Sequence, residues 1–360
     1  DFNTYDLVNG NKDKYIKQLQ DMKFGAIVGN PPYQAPISTA ESNKSLSKQL
    51  FPDFIKISLS LNSSYVCLIT PMRWFTGDAQ DKSFVSLRKY LKSHNGISNL
   101  CLYHDVRDVF SNVVIKGGVC IFLNQNGYKG NVRFNIKGKD CDIIQIRPLY
   151  EQGMDIILSD NRDYKILQKI HHENSLTQIT TGRNPFGIIG KEDFVQSIST
   201  LNKAKDSCVL RCKNNNIRYV TRDKLTKNKD ILKKYKIIIS KSAGDPATDK
   251  NIIGTPYLGN PWDACTDSFI TIGAFNKKAE AIHLQKYIKT TFLRYLVSIL
   301  KTSQNVTQIV YKYVPLQDFT SKSDIDWSKT IAEIDQQLFT KYGLTAEEIA
   351  FIESKVKPME

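Results

Sequence analysis

The 360-residue chain holds one short segment whose residue types could do chemistry together, Asn30-Pro31-Pro32-Tyr33. A residue before proline is pushed towards extended geometry. Two successive prolines fix φ and remove two N–H donors. What remains is a stiff turn whose backbone carbonyls point outward as acceptors, and Asn30 adds a side-chain carbonyl. Two acceptors held together suit an exocyclic amino group, which offers two N–H donors. Tyr33 supplies a flat face for stacking a planar base, worth roughly 1–3 kcal/mol. The tetrad therefore reads as a site for an unpaired base that bears an amino group.

The elements that must position it can be read around it. An apolar run over residues 24–29 predicts a short buried strand that ends at the tetrad. Ligands of α/β sheets bind beyond the carboxyl ends of parallel strands, and the tetrad stands at such an end. Leu46, Leu50, Phe54, Ile57 and Leu61 fall at helical spacing, so a helix is expected over 42–62, with Pro52 marking a kink or a later start. A strand over 65–70, a helix over 78–93 and strands over 97–103 and 118–123 follow. This alternation predicts a parallel sheet with crossover helices. Further strands are expected over 132–136 and 142–146.

After Tyr150 the alternation weakens. Helices are expected over 161–170 and 277–300, an amide-rich run over 302–314, and two acidic helices over 325–339 and 345–355. The fold class expected is α/β: a partial Rossmann-like sheet in residues 1–150, a mixed α+β domain in 151–320 and a short helical tail in 321–360.

The net charge is +14, unevenly spread. Residues 203–241 alone carry 13 Lys and Arg against 3 Asp and Glu. Apolar residues interleave with them, as in Val209-Leu210 and Ile237-Ile238-Ile239, which favours a folded basic surface over a tail. A concentrated basic surface is the electrostatic footprint of a polyanion. The seven cysteines are an odd number, and several sit inside apolar runs, as expected of reduced, buried thiols in a cytoplasmic protein. Cys208 and Cys212 have no second pair and no nearby His, so no metal is expected. Glu353-Ser354-Lys355 has the acid-x-Lys spacing of metal-dependent nucleases, but no Asp-bearing strand precedes it, so a surface charge pair is expected. No run approaches the roughly 18 apolar residues of a membrane span, and no membrane partner is expected.

The tetrad after a strand resembles the amino-methyltransferase motif of adenine-specific (N6) DNA methyltransferases. The likeness continues through Leu50-Phe51-Pro52-Asp53-Phe54-Ile55, through Val66-Cys67-Leu68-Ile69-Thr70-Pro71-Met72-Arg73-Trp74-Phe75, and from Val109-Phe110-Ser111 to Gly117-Gly118-Val119-Cys120. Thr181-Gly182-Arg183-Asn184-Pro185-Phe186-Gly187, Thr302-Ser303-Gln304-Asn305-Val306-Thr307 and Tyr342-Gly343-Leu344-Thr345 are similar to the recognition region of restriction–modification enzymes that carry methylase and target recognition on one chain.

The resemblance implies a mechanism. Adenine is flipped out of double-stranded DNA. Asn30 and the Pro31 carbonyl accept from its amino group, Tyr33 stacks on the ring, and the nitrogen attacks the methyl of S-adenosylmethionine in line. Phe110 is implied as a second wall of the base pocket. Asn30, Pro32 and Phe51 are implied contacts of the cofactor. Arg183, Arg211, Lys213, Arg218, Arg222, Lys241 and Asn305 are implied contacts of the DNA.

The chain departs from the family in one respect. Its cofactor loop, a glycine-rich turn after another strand with an acidic residue for the ribose, is not found. Gly25 and Gly29 lie on the wrong strand, and Gly117-Gly118 opens a strand instead of a helix. A missing N-terminal part of the same polypeptide is therefore expected to supply it, and this chain alone is expected to bind the cofactor poorly. A DNA-recognition module without catalysis, and an amino-methyltransferase acting on RNA or protein glutamine, stay open as alternatives.

Overall fold

The computed structural model describes residues 12–36, 47–79, 81–94, 96–111, 113, 115, 117–139, 142–170, 173–244 and 250–359. The chain divides into two compact units, Asp1–Tyr164 and Lys165–Glu360. The first contains, in order, α1 (Lys12–Asp21), β1 (Ala26–Gly29), β2 (Gln34–Pro36), β3 (Ser47–Gln49), α2 (Phe51–Ser60), β4 (Tyr65–Pro71), α3 (Ser83–Ser93), β5 (Ile97–Tyr103), β6 (Val119–Gln125), β7 (Val132–Ile136) and β8 (Ile143–Arg147), and α4 (Asn161–Lys169) spans its end.

One six-stranded sheet organises this unit, in the order β1-β4-β6-β5-β7-β8. β1 and β4 run parallel, with Gly29 opposite Leu68, and α2 lies between them in sequence. The expectation of a parallel sheet holds for that crossover and fails at β6, which lies antiparallel between β4 and β5. Parallel neighbours need a long crossover, whereas antiparallel ones can be joined directly. The connection from Tyr103 to Val119 shows, among its described residues, only a single-turn helix at Val106–Asp108. The chain therefore turns back beside β5. β7 returns parallel to β5, and β8 antiparallel to β7.

Alternate residues of the central strands point to one face, as the period of two requires. Val66 and Leu68, Leu100 and Leu102, Cys120 and Phe122 are buried there beneath Phe51 and Ile55 of α2 and Phe84, Leu87 and Leu91 of α3. Each such large side chain removed from water contributes about 1.5–3 kcal/mol.

Two helices start later than their apolar spacing implies. α2 begins at Phe51, and Ser47–Gln49 pairs instead with Gln34–Pro36. Pro52 is the cause: it fits the first turn of a helix but would clash with a preceding turn. Residues 42–46 of that expectation lie outside the described residues. α3 begins at Ser83, after a turn in which Lys82 pairs with Asp78.

The boundary expected at residue 150 lies instead after Tyr164. The segment beyond β8 is packed onto the first unit. Leu149 and Ile157 join its core. The Arg88 guanidinium donates to the carbonyls of Trp74 and Gly77 (both 2.7 Å) and Asp155 (3.0 Å), and the Tyr150 hydroxyl donates to the Arg88 carbonyl (3.0 Å).

The second unit carries α5 (Glu192–Ile198), β9 (Ser199–Thr200), β10 (Ser207–Arg211), β11 (Ile217–Thr221), α6 (Lys229–Leu232), β12 (Tyr235–Ser240), β13 (Pro256–Gly259), β14 (Asp263–Cys265), β15 (Phe269–Phe275), α7 (Lys278–Lys289), α8 (Thr291–Leu300), α9 (Ile331–Lys341) and α10 (Ala346–Lys355). Its sheets have the orders β14-β10-β11-β9 and β13-β12-β15. The single helix expected over 277–300 is two. Thr290 takes an extended backbone (φ −61°, ψ 148°), and its side chain accepts from the Leu293 N–H, which caps α8.

The tail helices belong to this unit and do not stand apart as a domain. The Phe292 ring stacks on Tyr342 at 5.2 Å, and Tyr295 meets Phe351 edge-on at 6.1 Å. The Asp335 carboxylate, from α9, accepts from the Thr291 and Phe292 N–H groups at the start of α8, both at 2.8 Å. Capping boxes at Thr330/Glu333 and Thr345/Glu348 fix where α9 and α10 begin.

Candidate active site

The Asn30–Tyr33 tetrad leaves the carboxyl end of β1, next to the end of β4 at Pro71. It lines a pocket of about 620 Å³ together with Gln34, Gln49, Pro71, Arg73, Val113 and Ile115. Asn30 is exposed, and among the described residues no hydrogen bond of its side-chain amide is found. Pro31 is buried and Pro32 exposed. Tyr33 is half-buried: it packs against the core of the sheet and still lines the pocket. Its carbonyl accepts from the Leu50 N–H at 3.0 Å, which ties the tetrad to the start of α2. Its hydroxyl is buried without a hydrogen-bond partner. Burial, and after it the neighbouring Cys120 thiol, push that hydroxyl up to about 12.

The turn after β4 brings a further group. Met72–Trp74 forms a single-turn helix, started by a bond from the Met72 N–H to the Gly118 carbonyl at 3.0 Å. Gly118 sits at φ +81°, and a Cβ there would lie 2.5 Å from the Tyr103 carbonyl oxygen, so the close approach of these strands requires glycine. Trp74 and Met72 point into the core, while Arg73 lines the pocket. The guanidinium of Arg73 lies over the Phe84 ring at 5.8 Å, its Nε is buried without a partner, and burial lowers its pKa.

The other expected contacts separate. Phe51 is fully buried and stands behind the pocket, its ring meeting Tyr33 edge-on at 6.3 Å. Phe110 is half-buried at the end of the turn after β5 and is not among the described residues of the lining, where Val113 and Ile115 stand instead. Arg73, Gln34 and Gln49 were not marked as site residues by the sequence. The available signal for Arg73 was its place two residues after the proline that ends β4, at the same end of the sheet as the tetrad.

In the second unit, Lys213, Lys241 and Asn305 come together around a hollow of about 630 Å³ with Ser240, Tyr257 and Asp267. The link is backbone: Ser242 bridges Asn305, and the Val306 N–H donates to the Lys241 carbonyl at 2.7 Å. Arg211 lies over the Tyr257 ring at 4.0 Å and so borders the same hollow. Arg183 is exposed, and Arg222 stacks over Trp262 at 3.8 Å, both outside this lining. Arg218 is committed to the fold, donating to the Ser199 Oγ at 2.7 Å and to its carbonyl at 3.1 Å. Lys236, counted in the basic stretch, is fully buried, and its ammonium donates to the carbonyls of Leu232, Lys234 and Asn260.

Among the described residues, no group of three or more His, Cys, Asp or Glu could hold a metal ion, and no helix is long and apolar enough to cross a membrane. Glu353 and Lys355 lie on the last turns of α10.

Comparison with known proteins places this geometry. The Eco57I restriction-modification methylase family matches residues 3–110. A protein of Mycoplasma pneumoniae (strain ATCC 29342 / M129 / Subtype 1), described as an uncharacterized adenine-specific methylase, is 33% identical over 147 residues, which cover 39% of this chain and 34% of that protein. The fold is similar to that of the type IIL restriction-modification enzyme MmeI, solved in complex with DNA, with a TM-score of 0.52 and 9% identity over 92% of this chain and 56% of MmeI. The chain thus spans about a third of that curated relative's length. Residues 3–110, which hold the tetrad and both strands that end beside it, carry the match, and the chain resembles the N6-adenine methyltransferases of restriction–modification systems.

Proposed function

We propose that this chain takes part in methylating adenine N6 in double-stranded DNA: the first unit receives a flipped adenine and the second holds the duplex. The observation that carries this reading is the pocket at the carboxyl ends of β1 and β4, lined by an exposed Asn30 amide, two prolines and the Tyr33 ring. The Asn30 side-chain oxygen and the Pro31 carbonyl accept from the exocyclic amino group. Both bonds pull the nitrogen lone pair out of conjugation with the ring and make it nucleophilic. The proton becomes acidic once nitrogen is alkylated, so the pocket needs no strong base. Catalysis is then mainly positioning and electrostatics.

S-adenosylmethionine supplies the electrophilic methyl group when bound. The described lining suits an aminopurine and not the whole cofactor: it holds no carboxylate for ribose hydroxyls and no glycine-rich loop. Remaining cofactor contacts would come from outside the described residues. In the second unit, Lys213 and Asn305 offer a cation and an amide to the phosphates and base edges of a duplex, with Arg211 beside them and Lys241 adding positive charge from an ammonium that donates to the Asp267 carbonyl.

The test is methyl transfer from labelled S-adenosylmethionine to duplex DNA by the full polypeptide that carries this chain, with digestion to nucleosides and mass analysis. N6-methyladenine is expected, and Asn30→Ala should lower its yield by roughly 10²-fold or more, as removal of one positioned polar group does elsewhere. Methyl found only on cytosine, or full activity in Asn30→Ala, contradicts the reading.

A further inference from the structure

We infer that Arg73 is an oxyanion subsite of the pocket and takes the sugar phosphate of the nucleotide whose base is seated on Asn30–Tyr33. The inference rests on the reading of that pocket as a base site. The observation is a cation without a counterion. Arg73 lines the pocket, pairs with no carboxylate among the described residues, and keeps its buried Nε unpartnered. A guanidinium drawn out of water is costly unless its donors are satisfied. The Phe84 face beneath it, at 5.8 Å, offers attraction but no acceptor. The same folded neighbourhood satisfies Arg88 with three carbonyls. Arg73 keeps its Nε without an acceptor among the described residues.

The lining also says what charge is welcome. Arg73 is the charged side chain among the described lining residues, and no carboxylate accompanies it. The other polar groups are the amides of Asn30, Gln34 and Gln49. A neutral base fits the tetrad, and the nearest anion that always travels with an extruded base is its own phosphodiester. Guanidinium and phosphate pair in a bidentate fashion that fixes orientation as well as affinity. Arg73 is thus a positioning residue for the nucleotide, set by the turn that Gly118 permits after β4.

The test compares deoxyadenosine with its 3′- and 5′-monophosphates as probes, binding to this chain at about 0.3 M salt to screen the general positive charge. Either monophosphate should bind about tenfold tighter than the nucleoside, the scale of a charge-assisted pair. In Arg73→Gln the ratio should fall to near one. In Arg73→Lys it should be intermediate, since an ammonium keeps the charge and loses the fork. Equal affinity of nucleoside and monophosphates in the unaltered chain overturns the subsite while leaving the base pocket standing. No binding of deoxyadenosine at all overturns the base pocket, and this inference with it. A parallel arm, run on the full polypeptide that carries this chain, compares S-adenosylhomocysteine with 5′-methylthioadenosine, which lacks the amino-acid end. If Arg73→Gln changes that ratio and not the nucleotide ratio, the anion is the cofactor's carboxylate and the phosphate assignment is wrong.

Discussion

The Tyr33 ring meets the Phe51 ring edge-on, with centroids 6.3 Å apart and planes at 80°. Phe51 is fully buried at the first turn of α2, so the helix sets the plane of the tyrosine that lines the pocket. The ring is the functional part of Tyr33. Its hydroxyl is buried and unpartnered, which costs stability. Tyr33→Phe is therefore expected to unfold at the same or a higher urea concentration, a gain of up to about 1 kcal/mol. The difference should depend on pH. Folding raises the hydroxyl pKa to about 12 against the ordinary 10.0, so the difference is constant below pH 10, and the unaltered chain loses further stability relative to Tyr33→Phe as pH rises from 10 towards 12. Urea titrations at pH 7 and above pH 10 check both statements, and a loss of stability in Tyr33→Phe at pH 7 would mean the hydroxyl does have a partner.

Lys236 gives a second pH test, in the other unit. Burial lowers its pKa from 10.5 to about 8. Below pH 8 the folded protein must hold a buried charge. Between pH 8 and 10.5 the unfolded chain binds the extra proton, so stability rises with pH through that window. Relative to Lys236→Met, the unaltered chain should gain about 1 kcal/mol between pH 7 and pH 9. Chemical denaturation of the two proteins at both pH values measures it, and a difference that stays flat would place the ammonium in contact with water.

Two basic residues that look alike in the sequence should behave differently. Lys213 is exposed beside Lys241 and Asn305, whereas Arg218 is tied to Ser199. Lys213→Ala should weaken duplex binding and lower the slope of log affinity against log salt by about one, with the fold unchanged. Arg218→Ala should cost about 1–3 kcal/mol of stability and leave that slope as it was. Fluorescence anisotropy across a salt series, with melting curves, separates the two. Equal salt slopes in Lys213→Ala and the unaltered chain would remove Lys213 from the DNA surface.

The local geometry of the tetrad was legible because its residue types are unusual. The tetrad stands at the end of a strand, as its residue types place it, but that strand is the edge of the sheet with Val28 77% exposed, not the buried strand expected over 24–29. The strands at Tyr65–Pro71 and Ile97–Tyr103 follow their apolar runs. What was not legible depends on partners distant in sequence. Nothing local tells that Val119–Gln125 slots antiparallel between β4 and β5. Nothing local tells that Lys236 turns inward to three carbonyls or that Arg218 is spent on Ser199. Thr290 splits a continuous apolar pattern because its hydroxyl caps the following helix, a competition that periodicity alone cannot weigh. Arg73 escaped notice because its unpartnered Nε is visible only once the neighbouring acceptors have been assigned.

Asp335 tests whether the C-terminal helices are part of the second unit's core. Its carboxylate is largely buried and accepts from two backbone N–H groups of α8 at 2.8 Å. Asp335→Ala strands both donors, and the expected cost is about 2–3 kcal/mol. Asp335→Asn keeps an acceptor and should recover part of it. Unfolding followed by a probe in α8 measures the loss. An unchanged midpoint for α8 in Asp335→Ala would mean that the tail docks without supporting it.

The central claim is that the hollow beside Asn30 and Tyr33 receives an aminopurine. The most direct measurement is an NMR titration of this chain with deoxyadenosine, following the Asn30 side-chain amide and the Tyr33 ring, with purine riboside, which lacks the amino group, as the comparison. The account predicts that deoxyadenosine shifts both signals saturably, and that purine riboside shifts the Tyr33 ring alone and binds more weakly. Shifts that map elsewhere on the molecule, or identical responses to the two nucleosides, would contradict it.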